Sequence, residues 1–290
     1  FMATALAAAV ATIVMALLAN YPIALASGMG LNAYFAYTIC LGELADQANP
    51  WQIALTAILV EGIIFIILSA FKFRETLVNC IPENLKYGIT TGIGLFITFI
   101  GLQNAGLCVD SATLVTITSF TDNFHTAGIC ALLALVGLFL TAVFYIHNLK
   151  GAILFGILAT WILGMLCQMT GIYVPTPDAG FYSMFPTLGM TDFSKLGETF
   201  GQCFHVDFSA VGLINFVVVV FSFLFVDLFD TLGTLLGVAT KADMLDEDGK
   251  LPGIKHPLLS AALATSAGAV LGTSTNTTFV GYDSGVAVGG

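Results

Sequence analysis

The sequence predicts an all-α polytopic membrane protein, on three observations. Of 290 residues, 58% are hydrophobic and only 9% charged, against about 25% charged in soluble domains; mean hydropathy is +0.96. Apolar runs of about twenty residues, the length a helix needs to cross ~30 Å of hydrocarbon, recur along nearly the whole chain and leave no room for a soluble domain. Asp227 and Asp230 are the only charges between Ser209 and Thr240. A carboxylate at bilayer depth costs roughly 2.5–3.5 kcal/mol, so such residues face a cavity and handle protons, ions or substrate.

Nine spans are predicted, at about 3–19, 23–42, 51–71, 87–103, 127–146, 151–170, 210–236, 257–271 and 274–290. The first is alanine-rich. The second is broken by Gly28 and Gly30 before LNAYFAYT. The third, WQIALTAILVEGIIFIILSAF, carries Glu61 next to Gly62, as a bonded structural carboxyl or as a functional acid. The connection 72–88, KFRETLVNCIPENLKYG, suits a short helix lying at the interface. The fourth span ends near Gln103 and Asn104, read as a cap. The connection 176–204 is long and aromatic and is expected to cover the outer surface, whereas 242–256 is a hydrophilic loop. The eighth span, SAALATSAGAV, runs into LGTSTNTTFV, so the ninth, like the second, is interrupted by polar residues.

Seven of the eight basic residues fall on alternate connections: Lys72, Arg74 and Lys86, then Lys150, then Lys241, Lys250 and Lys255. Lys195 stands alone on the opposite set. The positive-inside rule puts the seven in the cytoplasm and residue 1 outside. An outside start without a basic leader suggests an internal fragment of a longer protein, without a signal peptide. Net charge of −10, with no basic stripe, argues against a nucleic-acid partner. Six cysteines and four histidines show no metal-ligand spacing and are read as apolar and interfacial side chains.

The alanine-rich helix and broken span at the beginning have a counterpart at the end, and the loop charges give the two pairs opposite directions. Matching interrupted spans in inverted halves point to a midplane binding site. Unwound backbone survives in lipid only where it is buried or lines a wet cavity. Asn32 stands where the helix after Gly30 is expected to start, either as its cap or in contact with ligand. Thr273 to Thr278 favour extended backbone. The alternative is that these small residues only pack helices together. Asp227, Asp230, Thr231 and Thr234 share one helix face, expected to look into the bundle. Two acids one turn apart repel if both ionise, so at least one is expected to titrate near working pH and the pair to serve in proton coupling.

GMGLNAYFAYT (28–38), NLKYGITTGIGLFITFIGLQNAG (84–106), FVDLFDTLGTLLGVATKA (225–242) and GTSTNTTFV (272–280) together resemble the nucleobase:cation symporters, in the adenine, guanine and hypoxanthine permease branch of the xanthine/uracil permease superfamily. That resemblance implies a seven-plus-seven inverted-repeat fold with interleaved core and gate subdomains, and short strands in its broken third and tenth spans. The chain would run from the second span into the tenth, as a single transporter domain incomplete at both ends. The resemblance further implies import of a purine base, with a proton or sodium as coupling ion, in the cell membrane, and leaves a homodimer open. Asp230, followed by Gly233, matches the family's eighth-span acid, with Asp227 its neighbour; Asn32 matches the purine-binding asparagine, and Phe279 is an apolar neighbour to pack on the base. Gly281 takes the position of the family's substrate-binding glutamate, Asp283 is a candidate compensating acid, and Ser27 stands where relatives often have proline.

Two other transport readings are an anion carrier of the same fold, which the two carboxylates disfavour, and a cation channel. A further one is an inactive truncated fragment. No enzyme and no cofactor are expected, because the sequence shows no nucleophile–base pair and no metal spacing.

Overall fold

A computed structural model describes residues 1–71, 82–111, 114–121, 123–187, 189, 194, 196–206, 212–242, 244, 246, 251–279 and 281. The chain forms two compact units. The first is Phe1–Gly94 with Asp192–Ala287, and the second is centred on Leu95–Thr191.

The first unit begins with α1 (Met2–Ala19), which buries Ala3, Ala7, Ala11 and Met15. That four-residue spacing makes one stripe of mostly small side chains, along which another helix can approach closely. Asn20 ends the helix in the left-handed conformation, with φ 56°. An extended stretch follows, β1 (Leu25–Ser27), then α2 (Met29–Ala33), which passes directly into a π-helical segment, Tyr34–Glu43. Next come α3 (Pro50–Ala70), with proline in its first turn, and the beginning of α4 (Glu83–Asn104), whose residues from Leu95 on belong to the second unit.

After the second unit the chain returns through α7 (Leu196–Thr199), a 3₁₀ turn at Gln202–Phe204, α8 (Leu213–Lys241), α9 (Lys255–Leu271) and β4 (Asn276–Thr278).

Hydrogen bonds fix the directions of these helices. Thr4 meets Thr273 beyond the end of α9, and Tyr21 donates to the Pro252 carbonyl ahead of its start, so α1 and α9 are antiparallel. Gln52 and Thr56 of α3 bond to Gln202 and the Cys203 carbonyl, while Gly201 N–H reaches the Val270 carbonyl. The start of α3 therefore lies at the end of α9. These are the relative directions that the loop charges imply for spans one, three and eight. Two apolar clusters tie α3 to α8 and α9: Ile53, Ala57 and Ile58 with Phe216, Phe223 and Ala269, and Phe65 with Leu228, Leu232 and Ala262. A Cβ on Gly62 would lie 2.3 Å from Ser266 Oγ and 3.0 Å from its backbone nitrogen, so only glycine lets α3 and α9 come this close.

The second unit holds a β-hairpin, β2 (Cys108–Ser111) with β3 (Leu114–Ile117), followed by a π-helical turn Phe124–Gly128, α5 (Ile129–Ile146) and α6 (Ala152–Met169). In the α5–α6 pair, Thr160 packs against Gly137 and Thr141 against Gly156. Each threonine hydroxyl donates to the carbonyl four residues earlier, at 2.7 Å, so it enters the apolar contact with its polar atom satisfied.

Among the described residues, five helices are long and apolar enough to cross a membrane: Met2–Ala19, Pro50–Ser69, Phe124–Ile146, Ala152–Met169 and Leu213–Thr240. The expected fourth and eighth spans differ from that pattern. The apolar part of α4 is only Thr91–Asn104. Helix α9 is 17 residues with nine buried ones, including Ser260 and Thr265, because α1 and α3 cover it instead of lipid. The all-α expectation also needs correction, since the hairpin at Cys108–Ile117 lies outside the two broken spans; its β-branched run LVTIT is the signal. Residues 72–81, most of the predicted interfacial helix, and 282–290, most of the ninth span, lie outside the described residues.

Candidate substrate-binding site

The site forms where the two interrupted segments of the first unit meet. β1 and β4 pair antiparallel, with Leu25 opposite Thr278, Ala26 opposite Thr277 and Ser27 opposite Asn276. Phe279 N–H bonds the Ala24 carbonyl at 3.0 Å and continues the ladder. Each unwound stretch thus satisfies the backbone of the other, which apolar surroundings demand. A threonine on the preceding helix anchors each strand: Thr12 of α1 bonds both the N–H and the carbonyl of Leu25, and Thr265 of α9 donates to the Asn276 carbonyl. Asn276 also donates through Nδ2 to the Ala264 carbonyl.

Just past β1, Gly28 opens α2. Its Cβ position, if filled, would lie 3.1 Å from Thr277 Oγ1 and 3.5 Å from Asp230 Oδ2. The missing side chain therefore brings the helix start, the strand threonine and the α8 carboxylate to one point. Asn32 is not the cap of this helix. Gly28 holds that position without a side-chain bond, and Asn32 sits in the fourth helical place with its N–H on the Gly28 carbonyl at 2.9 Å. Its side-chain oxygen instead accepts from Ser27 at 2.7 Å and from Ser274, while Ser27 and Ser274 lie 2.6 Å apart. This three-residue bridge between the two segments was not foreseen. Position 27 is 247 residues from 274, and no spacing rule connects them.

The aspartates divide between two environments. Asp227 is 2% exposed and accepts from Thr231 at 2.9 Å, inside the core. Asp230 is partly exposed, toward Gly28 and Thr277. The expected common face of α8 holds for Asp227, Thr231 and Thr234, which are buried together, with Asp230 at its margin. Phe279, just beyond β4, is half exposed. A Cβ on Gly281 would fall 2.6 Å from the Phe279 ring, so any side chain there requires the ring to swing away. Asp283 and the helix expected after Thr278 lie outside the described residues.

The chain matches the Permease family (Xan_ur_permease) over residues 1–290. It belongs to that family. Among its relatives, a Methanocaldococcus jannaschii protein named only as a permease is 44% identical over 289 residues, 99% of this chain and 60% of that one. The guanine/hypoxanthine permease PbuO of Bacillus subtilis is 41% identical, covering 100% of this chain and 62% of its own length. The adenine permease AdeP of Escherichia coli is 36% identical, covering 100% and 59%. The chain thus spans about 60% of the length of the curated relatives it matches. These relatives are permeases and not enzymes. With its apolar helices, this permease is a multi-pass protein of the cell membrane.

Proposed function

We propose that this permease takes up purine bases by proton symport, binding the base at the β1–β4 crossing. The observation that carries the reading is the convergence of Asp230, Thr277 and the start of α2 at Gly28, with Asn32 in the next turn. A purine presents ring N–H donors and ring-nitrogen or carbonyl acceptors in one plane. A carboxyl accepts from the former, and the Asn32 amide and free N–H groups at the opening of α2 donate to the latter. Phe279 offers an aromatic face to the ring. The named substrates of the PbuO and AdeP relatives, guanine, hypoxanthine and adenine, support a purine.

Asp227 and Asp230 together carry the proton. The mutual pairing of β1 and β4, and the equivalent anchors Thr12 and Thr265, support an inverted repeat with its two halves crossing at the site. The first unit, which carries Asn32, Asp227, Asp230, Thr277 and Phe279, plays the part of the core, and the second that of the gate. An anion carrier would place the Asp230 carboxylate against its own substrate, which disfavours that reading.

The test is uptake of labelled hypoxanthine, guanine and adenine by cells lacking purine permeases and expressing the complete protein. Accumulation is expected with the native protein and its loss with Asp230→Asn. Undiminished accumulation by Asp230→Asn overturns the assignment.

A further inference from the structure

We infer that the Ser27–Asn32–Ser274 bridge sets the specificity of the site, so that it selects 6-oxopurines such as hypoxanthine and guanine over the 6-aminopurine adenine. This rests on the purine-binding reading above and names the class of base that the same site prefers. Ser27 ends β1 and Ser274 precedes β4, and both are buried. Their hydroxyls lie 2.7 and 2.5 Å from Asn32 Oδ1 and 2.6 Å from each other. Such distances belong to O–H···O bonds, since N–H···O bonds centre at about 2.9–3.0 Å, so the amide turns its oxygen, and not its nitrogen, toward the serines. Two hydroxyl hydrogens serve three contacts, and the Asn32 oxygen accepts from at least one serine however the hydroxyls rotate. Nδ2 is left on the open side. Asn32 is an exposed residue, and its amide nitrogen takes part in no hydrogen bond among the described residues.

An amide held in this way presents donors alone. An asparagine free to offer both atoms pairs with adenine, whose N7 accepts and whose amino group donates. With its oxygen engaged by the serines, Asn32 loses the accepting half of that pairing and keeps two N–H hydrogens. A 6-oxopurine supplies N1–H, O6 and N7 in sequence along one edge: a donor for the Asp230 carboxyl, then two acceptors for Asn32. Adenine supplies an acceptor at N1, a donor at its amino group and an acceptor at N7. Seated as the oxopurine is, adenine sets N–H against N–H at Asn32 and a lone pair against the accepting oxygen of Asp230. Shifted so that its amino group meets Asp230, it has one acceptor beside that group for Asn32, where the oxopurine has two. Each seat leaves at least one polar group unpaired, and a site built to hydrogen-bond one substituent rejects the analogue that lacks it.

Ser27 and Ser274 are thus positioning residues, which act on the base through Asn32. They come from the two segments that cross at the site, so the donor-only amide depends on the pairing of β1 with β4.

The test is equilibrium binding of labelled hypoxanthine, guanine and adenine to the purified complete protein, read as the ratio of the adenine Kd to the hypoxanthine Kd. The native ratio is expected to be about tenfold or more, the effect of one or two lost hydrogen bonds. In the double variant Ser27→Ala, Ser274→Ala the amide oxygen is released to face a ligand, and the ratio is expected to fall toward one. A loss of packing alone would weaken all three bases together and leave the ratio where it was. A native ratio of one or below, or a ratio that the alanine pair leaves unchanged, overturns the inference. If the alanine pair does not fold, Ser274→Ala alone is read in the same way, and the native ratio decides by itself if that variant also fails. A protein that binds 6-oxopurines selectively and moves none of them defeats the transport reading while the inference stands; one that binds no purine defeats both.

Discussion

Asp230 follows Asp227 by three positions, and that part of a turn takes one carboxyl into the core and leaves the other beside Gly28. Their substitutions should differ accordingly. Asp227→Asn keeps an oxygen to accept from Thr231 and should fold with little loss, whereas Asp227→Leu strands a buried hydroxyl and should lower stability by about 1–3 kcal/mol in a thermal-unfolding assay of the purified protein. Asn32→Ala removes the acceptor that Ser27 and Ser274 share, although the two serines still bond each other, so its structural cost should be near 1 kcal/mol. Its larger expected effect is a raised KM for purine uptake; an unchanged KM would remove Asn32 from the site. The acids and Asn32 were legible in the sequence because charge and amide stand out in apolar runs. Their convergence was not legible, because it depends on a side chain that Gly28 lacks and on a strand nearly 250 residues away.

Hydropathy at the level of elements measures how a helix would fare alone in lipid, and it served well for α1, α3, α5, α6 and α8. It overstated α9, whose small and polar residues suit burial between α1 and α3. The β2–β3 hairpin was passed over because its β-branched run sits in a connection, where the search for spans gave it no weight. The α3–α9 contact can be tested at Gly62. Valine there must displace Ser266 backbone, and overpacking of this kind costs typically about 1–3 kcal/mol, so Gly62→Val should lower the unfolding temperature. An unshifted transition would show that the seam is looser than described. At the end of α1, burial raises the Tyr21 phenol above its ordinary value near 10. The protonated phenol donates to the Pro252 carbonyl, so this contribution is complete below pH ~10 and is lost as pH rises through the raised value. Stability from this group should be flat between about pH 7 and 9, and Tyr21→Phe should lower stability evenly across that range while abolishing the alkaline decline.

For the molecule as a whole, the outcome is a scaffold in which two helix-to-strand units, widely separated in sequence, share one three-residue ladder. The loop charges pointed to this arrangement, because opposite directions were already implied for the two ends; the register of the strands could not be read, since three residues carry no pattern. The ladder also bears on how the protein is made. Leu25, Ala26 and Ser27 leave the ribosome early, yet their partners are residues 276–278. Until those arrive, the first strand has unpaired amides and carbonyls in a hydrocarbon setting, each costing several kcal/mol. A nascent chain halted before residue 273 should therefore be recognised as unfinished and degraded by membrane proteases, whereas one that includes the second strand should persist in pulse-chase labelling. On the proposed reading of the site, synthesis of that late segment is the checkpoint at which the β1–β4 crossing can first form.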